Sequence, residues 1–402
     1  MKTRKILALF CGLLFFLSGC SIIPRVKQPP KKEQASYADP LKYHSQYKDH
    51  LQYQGLSTDG QRCYGMLYTT IQDAIDNNAF VTDEQGTQRP GVCVPFDVAL
   101  TKEDMSLLYE SFLKDNPQFF FLDRTYRLEG HQEGGEAVYD ALLLQFTLSK
   151  SDRQTAIQHL NNAVDDILND CPDTQDEYII EKYFHDYLIA SCTYDDEAAN
   201  ADAETHENAY SAYGALVDGR AVCEGYAKAM QLLLQKKAIP ATVVMGYSAE
   251  DWESHMWNLV RINGSYYYLD VTWDDNGTIP QYTYFNMTTD TMQRTHKPDD
   301  NPLLDIRCTA TSDNYFIRNG TYCATNDRDA IAYAIAQRVK ADDVFIHLLF
   351  APEAYENALL FLKNRSVTQR KVNAQLDNHL KMWDYTLSTQ TKQYTITLIR
   401  TN

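Results

Sequence analysis

The stretch GRAVCEGYAKAMQLLLQ, residues 219–235, decides how the rest of the chain is interpreted. A glycine-led loop precedes Cys223, and apolar residues then recur at the spacing of one helix face. Pro240 bars the continuation of that helix. The pattern therefore predicts a helix that begins close to Cys223. A cysteine in this place can be a buried core thiol, half of a disulfide or a nucleophile.

A second stretch, SHMWNLVRINGSYYYLDVTW (254–273), carries groups that could act with a thiol. The central Asn-Gly pair between two strand-like runs is a strong signal for a β-hairpin with a two-residue turn. In that register Trp257 lies opposite Asp270, and His255 lies opposite Thr272. These four side chains share one face, and His255 and Asp270 become diagonal neighbours, about 7–8 Å apart at the backbone. A carboxylate there would orient the imidazole and stabilise its charged form.

The nucleophilicity of a thiol depends on its thiolate form, which a helix N-terminus and an adjacent imidazolium both favour. The sequence predicts the helix directly and offers the imidazole on a nearby sheet. Cys223, His255 and Asp270 therefore form a candidate set of nucleophile, base and orienting carboxylate, in that chain order.

These two stretches together resemble the transglutaminase-like superfamily of papain-type folds, in its bacterial extracytoplasmic branch. The resemblance covers roughly residues 175–290, where HDYLIASCTYDDEA and NAYSAYGALVDG resemble the helices before the nucleophile. It implies an α+β fold with a papain/transglutaminase-like core, in which a Cys-bearing helix packs on an antiparallel sheet. It also implies Cys223 as nucleophile, His255 as general base and Asp270 as orienting carboxylate.

Three aromatic residues are further candidates for the cleft. An oxyanion hole needs the Cys223 backbone N–H and an upstream donor, for which Tyr213 is a candidate. Trp257 flanks His255 in sequence, and Trp273 matches the D-x-T-W-D ending of the family. Core packing is the alternative role for Tyr213 and Trp257.

The first residues carry an export signal. Lys2, Arg4 and Lys5 precede an apolar run that is too short to span a bilayer. The run ends in Leu-Ser-Gly-Cys, which resembles a bacterial lipobox and implies cleavage before Cys20 and lipidation of its thiol; the alternative is a plain secretory signal. We expect an exported protein that is lipid-anchored to a bacterial membrane surface.

The formal charge excludes one class of partner. Removal of three cations with the signal takes it from −17 to about −20. Such a surface repels phosphate backbones, so a nucleic-acid partner is not expected. The histidines show no partner at metal-ligand spacing, and neither a metal nor a cofactor is predicted.

The cysteine count suggests disulfides with one thiol left over. Nine cysteines are present, of which Cys11 leaves with the signal and Cys20 is the anchor. An odd number remains, which in an oxidising compartment suggests one free thiol. Clustering in the sequence suggests three pairs: Cys63 with Cys93, Cys171 with Cys192, and Cys308 with Cys323.

The chain divides into five predicted segments. These are a lipoprotein signal peptide (1–19), a lipid anchor and flexible linker (20–48), an N-terminal α+β region (49–172), the transglutaminase-like catalytic domain (173–298) and a C-terminal α+β region (299–402).

The predicted function is thiol chemistry on amide bonds of peptides or proteins, possible substrates being those of the cell envelope. Resolution of a thioester by water would make a peptidase or amidase, and resolution by an amine would make an acyltransferase; the residues do not choose. The alternative is a non-catalytic surface module for binding or adhesion that uses the same fold.

Overall fold

A computed structural model describes Tyr47 and residues 49–401, except positions 84, 202–204, 276, 278, 378–379, 382 and 391–393. The predicted signal peptide and nearly all of the predicted linker lie outside these residues. The chain forms two compact units. The first contains residues up to 262 together with 293–306, and the second contains 263–292 and the residues from 307 onward. These units do not correspond one to one to the five segments predicted from the sequence, and the bounds of those segments stay a prediction.

The helices in chain order are α1 Leu51–Gly55, α2 Thr58–Ile75, α3 Lys102–Asp115, α4 Lys150–Asp170, α5 Glu177–Ser191, α6 Asp196–Ala199, α7 Cys223–Lys236, α8 Val271–Asp274, α9 Thr289–Met292, α10 Tyr315–Arg318, α11 Arg328–Lys340, α12 Pro352–Lys363 and α13 Arg365–Asn373. The strands are β1 Phe80–Thr82, β2 Gln88–Leu100, β3 Leu122–Glu133, β4 Glu136–Phe146, β5 Thr193–Tyr194, β6 Arg220–Ala221, β7 Ala241–Ser248, β8 Ser254–Ile262, β9 Ser265–Leu269, β10 His296–Pro298, β11 Tyr322–Cys323, β12 Phe345–Phe350, β13 Asp384–Gln390 and β14 Thr395–Thr401.

The first unit begins with an antiparallel sheet of order β1-β2-β4-β3. Helices α2 and α3 contribute to the core over it, which is rich in aromatic side chains such as Tyr64, Phe112 and Phe121. Strand alternation gives the sheet one apolar face, and the helices bury that face.

The first unit also contains strands in the order β10-β7-β8, paired antiparallel. Helix α7 packs on this sheet: Asn258 Nδ2 donates to the Ala227 carbonyl at 2.8 Å, and Val243 and Met256 pack against Ala227. The predicted α+β core, with a Cys-bearing helix on an antiparallel sheet, is therefore confirmed.

The second unit has its own sheet, of order β11-β12-β14-β13. Helices α11, α12 and α13 contribute buried side chains to its core, including Ile335, Phe361 and Val372. Asn263 and Gly264 open this unit with φ angles of 49° and 84°. Two successive positive φ angles are what a type I′ turn requires, as the Asn-Gly signal predicted.

In the part of the chain that the structure describes, no helix combines the length and the apolar character needed to cross a membrane.

Candidate active site

Cys223 is the first residue of α7, as the sequence predicted. The side chain is half-buried and packs with Met245 against a small cluster that contains Ala227 and Met256. The first backbone N–H groups of a helix have no partner within the helix, and they favour negative charge. The Cys223 side chain therefore lies beside the unpaired backbone N–H groups at the start of α7.

Charged side chains surround the same turn of α7. Glu224 Oε1 lies 2.8 Å from Arg124 and 2.7 Å from Lys228 Nζ. Burial alone would raise the pKa of the Glu224 carboxyl, but the charges of Lys228 and Arg124 outweigh burial and lower it. Burial lowers the pKa of Lys228 in turn, against the opposing charge of Glu224. The helix start thus carries a carboxylate that its own ion pairs hold in the charged form.

Tyr194 is a neighbour of the thiol that the sequence did not single out. It lies on β5, where it pairs with Ala221, two residues before Cys223. Burial, followed by the charge of Cys223, raises the pKa of the Tyr194 hydroxyl. The phenol therefore stays protonated at neutral pH, and no signal in its own segment indicated that it lies near Cys223.

His255 is the second residue of β8 and is buried. Its ring lies 5.8 Å from that of Trp257 and 5.4 Å from that of His296, measured between centroids. One ring nitrogen of His255 lies within 4.8 Å of one of His296. The spacing of histidines in the sequence indicates no neighbouring ligand-type residue for His296, whereas the structure places His255 beside it. Two imidazoles are only half of the ligand set of a four-coordinate zinc site, so these two alone do not define one.

Cys223 and His255 lie at the same end of the sheet in the first unit. Met256, the residue after His255, packs in the cluster that Cys223 joins. Successive strand residues point to opposite faces, so the imidazole lies on the face that carries Trp257 and His296. The direct contact between thiol and imidazole stays a prediction.

Asp270 belongs to the second unit, where it is buried and caps α8. Its Oδ1 accepts a hydrogen bond from the Trp273 backbone N–H at 3.1 Å. Strand β9 ends at Leu269, so the prediction that the strand continues and points Thr272 to the face of His255 is wrong. Asp is among the best N-cap residues, and here it stops the strand by starting a helix. The pairing of Asp270 with His255 stays a prediction.

The three aromatic candidates have defined surroundings. Trp257 is almost fully buried, and its Nε1 has no hydrogen-bond partner among the described residues. Trp273 packs edge-on against Tyr284, with the ring centroids 5.2 Å apart. Tyr213 stacks on Phe120, and its hydroxyl lies 3.5 Å from His159 Nδ1. The cleft and oxyanion roles of all three stay predictions.

The predicted disulfides are not supported, since the cysteines of the described residues are free thiols: Cys63, Cys93, Cys171, Cys192, Cys223, Cys308 and Cys323. The first pair shows why closeness in sequence misleads. Cys63 is buried in the core on α2, whereas Cys93 is exposed on β2 next to the core residue Val94. Strand alternation turns Cys93 away from that core. Cys223 is therefore distinguished by its place at a helix start and not by being left over.

Comparison with known proteins gives a family match for part of the chain. The model of the Transglutaminase-like superfamily matches residues 165–271. Among solved structures, a TGase is similar over 50 % of this chain and 56 % of its own, at 17 % identity and a TM-score of 0.27. A candidate cysteine protease from Cytophaga hutchinsonii is similar over 38 % of this chain and 63 % of its own, at 13 % identity and a TM-score of 0.24.

A candidate protease from Parabacteroides distasonis is similar over 37 % of this chain and 36 % of its own, at 12 % identity and a TM-score of 0.23. The chain thus spans less than two thirds of each of these three structures. No curated protein matches the chain.

Proposed function

Because residues 165–271 form a transglutaminase-like domain, we propose that this protein is a thiol enzyme acting on amide bonds of peptides or proteins. Cys223 is the nucleophile, His255 the general base and acid, and Asp270 the carboxylate that orients His255. The reaction proceeds through a thioester on Cys223.

One observation carries this proposal: Cys223 is the first residue of α7 and is half-buried, which leaves its thiol reachable. Cys63 on α2 is the contrast, because it lies within its helix and is fully buried. Burial, with the charges of Asp97 and Asp59, raises the pKa of Cys63 to about 12. A helix start and partial exposure are the conditions for a reactive cysteine, and mid-helix burial is the condition for an inert one.

The chemical steps follow from the three assigned roles. The Cys223 thiolate attacks the amide carbonyl carbon and forms a C–S bond, and negative charge develops on the carbonyl oxygen. The Cys223 backbone N–H, at the start of α7, is the donor that we assign to that oxygen. The C–N bond then breaks, and protonated His255 gives its proton to the departing amine. A second nucleophile attacks the thioester, His255 takes its proton, and the thiolate leaves.

The second nucleophile defines the class of enzyme. Water makes the protein a peptidase or amidase, and a lysine or other amine makes it an acyltransferase. The export signal and lipobox-like end at Cys20 support a protein tethered to the outer side of a bacterial membrane. Candidate substrates are therefore peptides or proteins of the cell envelope.

A turnover assay tests the proposal. The full chain is incubated with a peptide library that contains glutaminyl and generic sequences, with and without an added primary amine, beside Cys223→Ala and Cys63→Ala. We expect products with the wild type and Cys63→Ala and none with Cys223→Ala. New carboxyl ends indicate hydrolysis, and incorporated amine indicates acyl transfer. Equal and negligible rates for wild type and Cys223→Ala would contradict the proposal and favour the binding module.

A further inference from the structure

His296 approaches the predicted base from a distant part of the sequence. Strand β10 pairs with β7, and there His296 lies opposite Ser248. On the other side of β7, His255 lies opposite Gly246. Residues directly opposite each other, and residues two apart in a strand, share a face. The two imidazoles therefore project from the same face of one sheet, on either side of β7.

The middle strand leaves room for the rings to meet. A Cβ at Gly246 would lie 2.8 Å from Trp257 Cη2 and 2.1 Å from the Lys297 carbonyl oxygen. Both distances are shorter than real Cβ contacts, so a side chain here would displace the indole and the backbone of β10. Gly246 thus lets the indole of Trp257 reach across β7 towards β10.

The three rings form one packed group. The rings of Trp257 and His296 meet edge to face, with centroids 4.8 Å apart and planes at 72°. His255 is the third member, close to parallel with Trp257 at 27° and 5.4 Å from His296. Edge-to-face and offset contacts of this kind stabilise a pair by about 0.5–1.5 kcal/mol beyond area burial. His255 therefore touches aromatic surface from two directions.

His296 is itself held in place. Its side chain is fully buried, and its Nδ1 lies 2.8 Å from Thr295 Oγ1. A buried ring with one nitrogen paired to a hydroxyl has a fixed plane, whereas an exposed ring rotates freely. A fixed ring can define the orientation of its neighbour.

We propose that His296 is a positioning residue: its ring, with Trp257, fixes the orientation of the imidazole of His255, the base that we propose for Cys223. This inference rests on the proposed function of that thiol. In this role His296 acts through His255. Because it works mainly through ring packing, a phenyl ring in its place keeps most of the effect and a methyl group abolishes it.

The test is the pH profile of iodoacetamide alkylation at Cys223, followed by peptide mapping of the full chain. At pH 6 we expect His296→Ala to label about tenfold more slowly than the wild type, because a displacement of about 1 Å can cost a catalytic group about 10²-fold. His296→Phe keeps the ring but loses the hydrogen bond to Thr295, so about threefold slower labelling is expected.

His347 provides the matched control. It is also buried, its Nδ1 lies 2.9 Å from Thr397 Oγ1, and it meets the Tyr282 ring edge-on, but it belongs to the second unit. His347→Ala is expected to leave Cys223 labelling unchanged. If His296→Ala does not fold, Thr295→Val replaces it: this variant releases the ring without making a cavity, and about threefold slower labelling is expected.

The outcomes separate this inference from the proposed function. The positioning role would be overturned if His255→Ala labels slowly while His296→Ala labels at the wild-type rate. Where Thr295→Val replaces His296→Ala, the same comparison applies to it. This result would not contradict the proposed thiol enzyme. Wild-type labelling that is slow at pH 6 and unaffected by His255→Ala would overturn both.

Discussion

The two ends of helix α7 are built differently. At its start, Cys223 is half-buried, and Val222 before it offers no side-chain cap. Near its end, Gln231 Nε2 donates to the Lys114 carbonyl at 2.7 Å, and Gln235 Nε2 donates to the Asp115 carbonyl at 3.0 Å. The helix is therefore anchored to the end of α3 by side-chain hydrogen bonds.

The two ends of α7 have different roles in holding the reactive group. A catalytic group is precise when it lies on a rigid element whose own position is fixed elsewhere. The hydrogen bonds of the last turns fix the position of α7, and the first turn carries the reactive thiol. Changes at the start should therefore alter reactivity with little effect on folding, and changes at the end should do the opposite.

The largest expected effect comes from Cys223→Ala. We expect turnover to fall by at least about 10⁴-fold, as when a nucleophile is removed from a coupled catalytic set. The free energy of unfolding should change by less than about 1 kcal/mol, because the side chain is small and half-buried. Assays of turnover and of denaturant unfolding check both values. Substantial residual turnover would break the contrast between the two ends.

Asp270→Asn is the next in size. Asn caps a helix as well as Asp does, so α8 should persist while the negative charge is lost. Without the charge, we expect turnover to fall by about 10²–10⁴-fold, since the orienting carboxylate of a triad fixes the tautomer of its histidine. Wild-type turnover in a folded Asp270→Asn protein would remove Asp270 from the mechanism.

At the other end of α7, Asp115 should control stability and not turnover. The buried carboxylate accepts hydrogen bonds from the backbone N–H groups of Gln52 and Tyr53 at 3.2 and 2.8 Å. Burial raises the pKa of Asp115 to about 7, against these hydrogen bonds. In the unfolded chain an aspartate titrates near about 3.9.

Because the pKa of Asp115 is higher in the folded protein than in the unfolded chain, protonation of Asp115 stabilises the folded state. This contribution to the free energy of unfolding is complete below about pH 4 and is lost as the pH rises through about 7. Chemical denaturation between pH 5 and 8 should therefore show wild type losing stability relative to Asp115→Asn, by about 1 kcal/mol or more. Parallel pH dependences in the two proteins would contradict this, and so would a loss of turnover in the variant.

The smallest effect is expected for Glu224→Gln, back at the start of α7. We expect the free energy of unfolding at pH 7 to fall by only about 0.5–1 kcal/mol, since the Arg124 side chain is 46 % exposed and solvent screens its ion pair with Glu224. The lowered pKa of Glu224 gives stability that is present above about pH 4.3 and is lost as the pH falls through the lowered value. The free energies of unfolding of the wild type and Glu224→Gln should thus converge below about pH 4. A difference that stays constant with pH would show that packing, and not charge, is responsible.

Local signals allowed much of this to be predicted. The start of α7 at Cys223 was predictable because the signals for it, a loop, an apolar spacing and a later proline, all lie in one short segment of the sequence. The turn at Asn263 and Gly264 is equally local. The end of β9 is not predictable from the strand pattern, because Asp270 caps a helix there although the alternation of residues continues past it.

Long-range features could not be predicted. His296 reaches His255 through the pairing of β10 with β7, and nothing near His296 in sequence indicates that pairing. The disulfide prediction failed for the related reason that strand alternation and helix burial, not sequence distance, decide which cysteines meet. The candidate site was therefore predictable where it depends on one segment and not where it depends on sheet order.

The pH profile of iodoacetamide alkylation at Cys223, with His255→Ala beside the wild type, tests whether His255 activates the thiol. Cys93 serves as an internal control: it is exposed, but burial of its thiol and then the charges of Glu129 and Asp140 raise its pKa to about 11. We expect fast labelling of Cys223 well below the ordinary thiol range near about pH 8.5 and slow labelling in His255→Ala, with Cys93 slow in both proteins. Labelling of Cys223 that rises only near pH 8.5 and is the same in both proteins would contradict the claim.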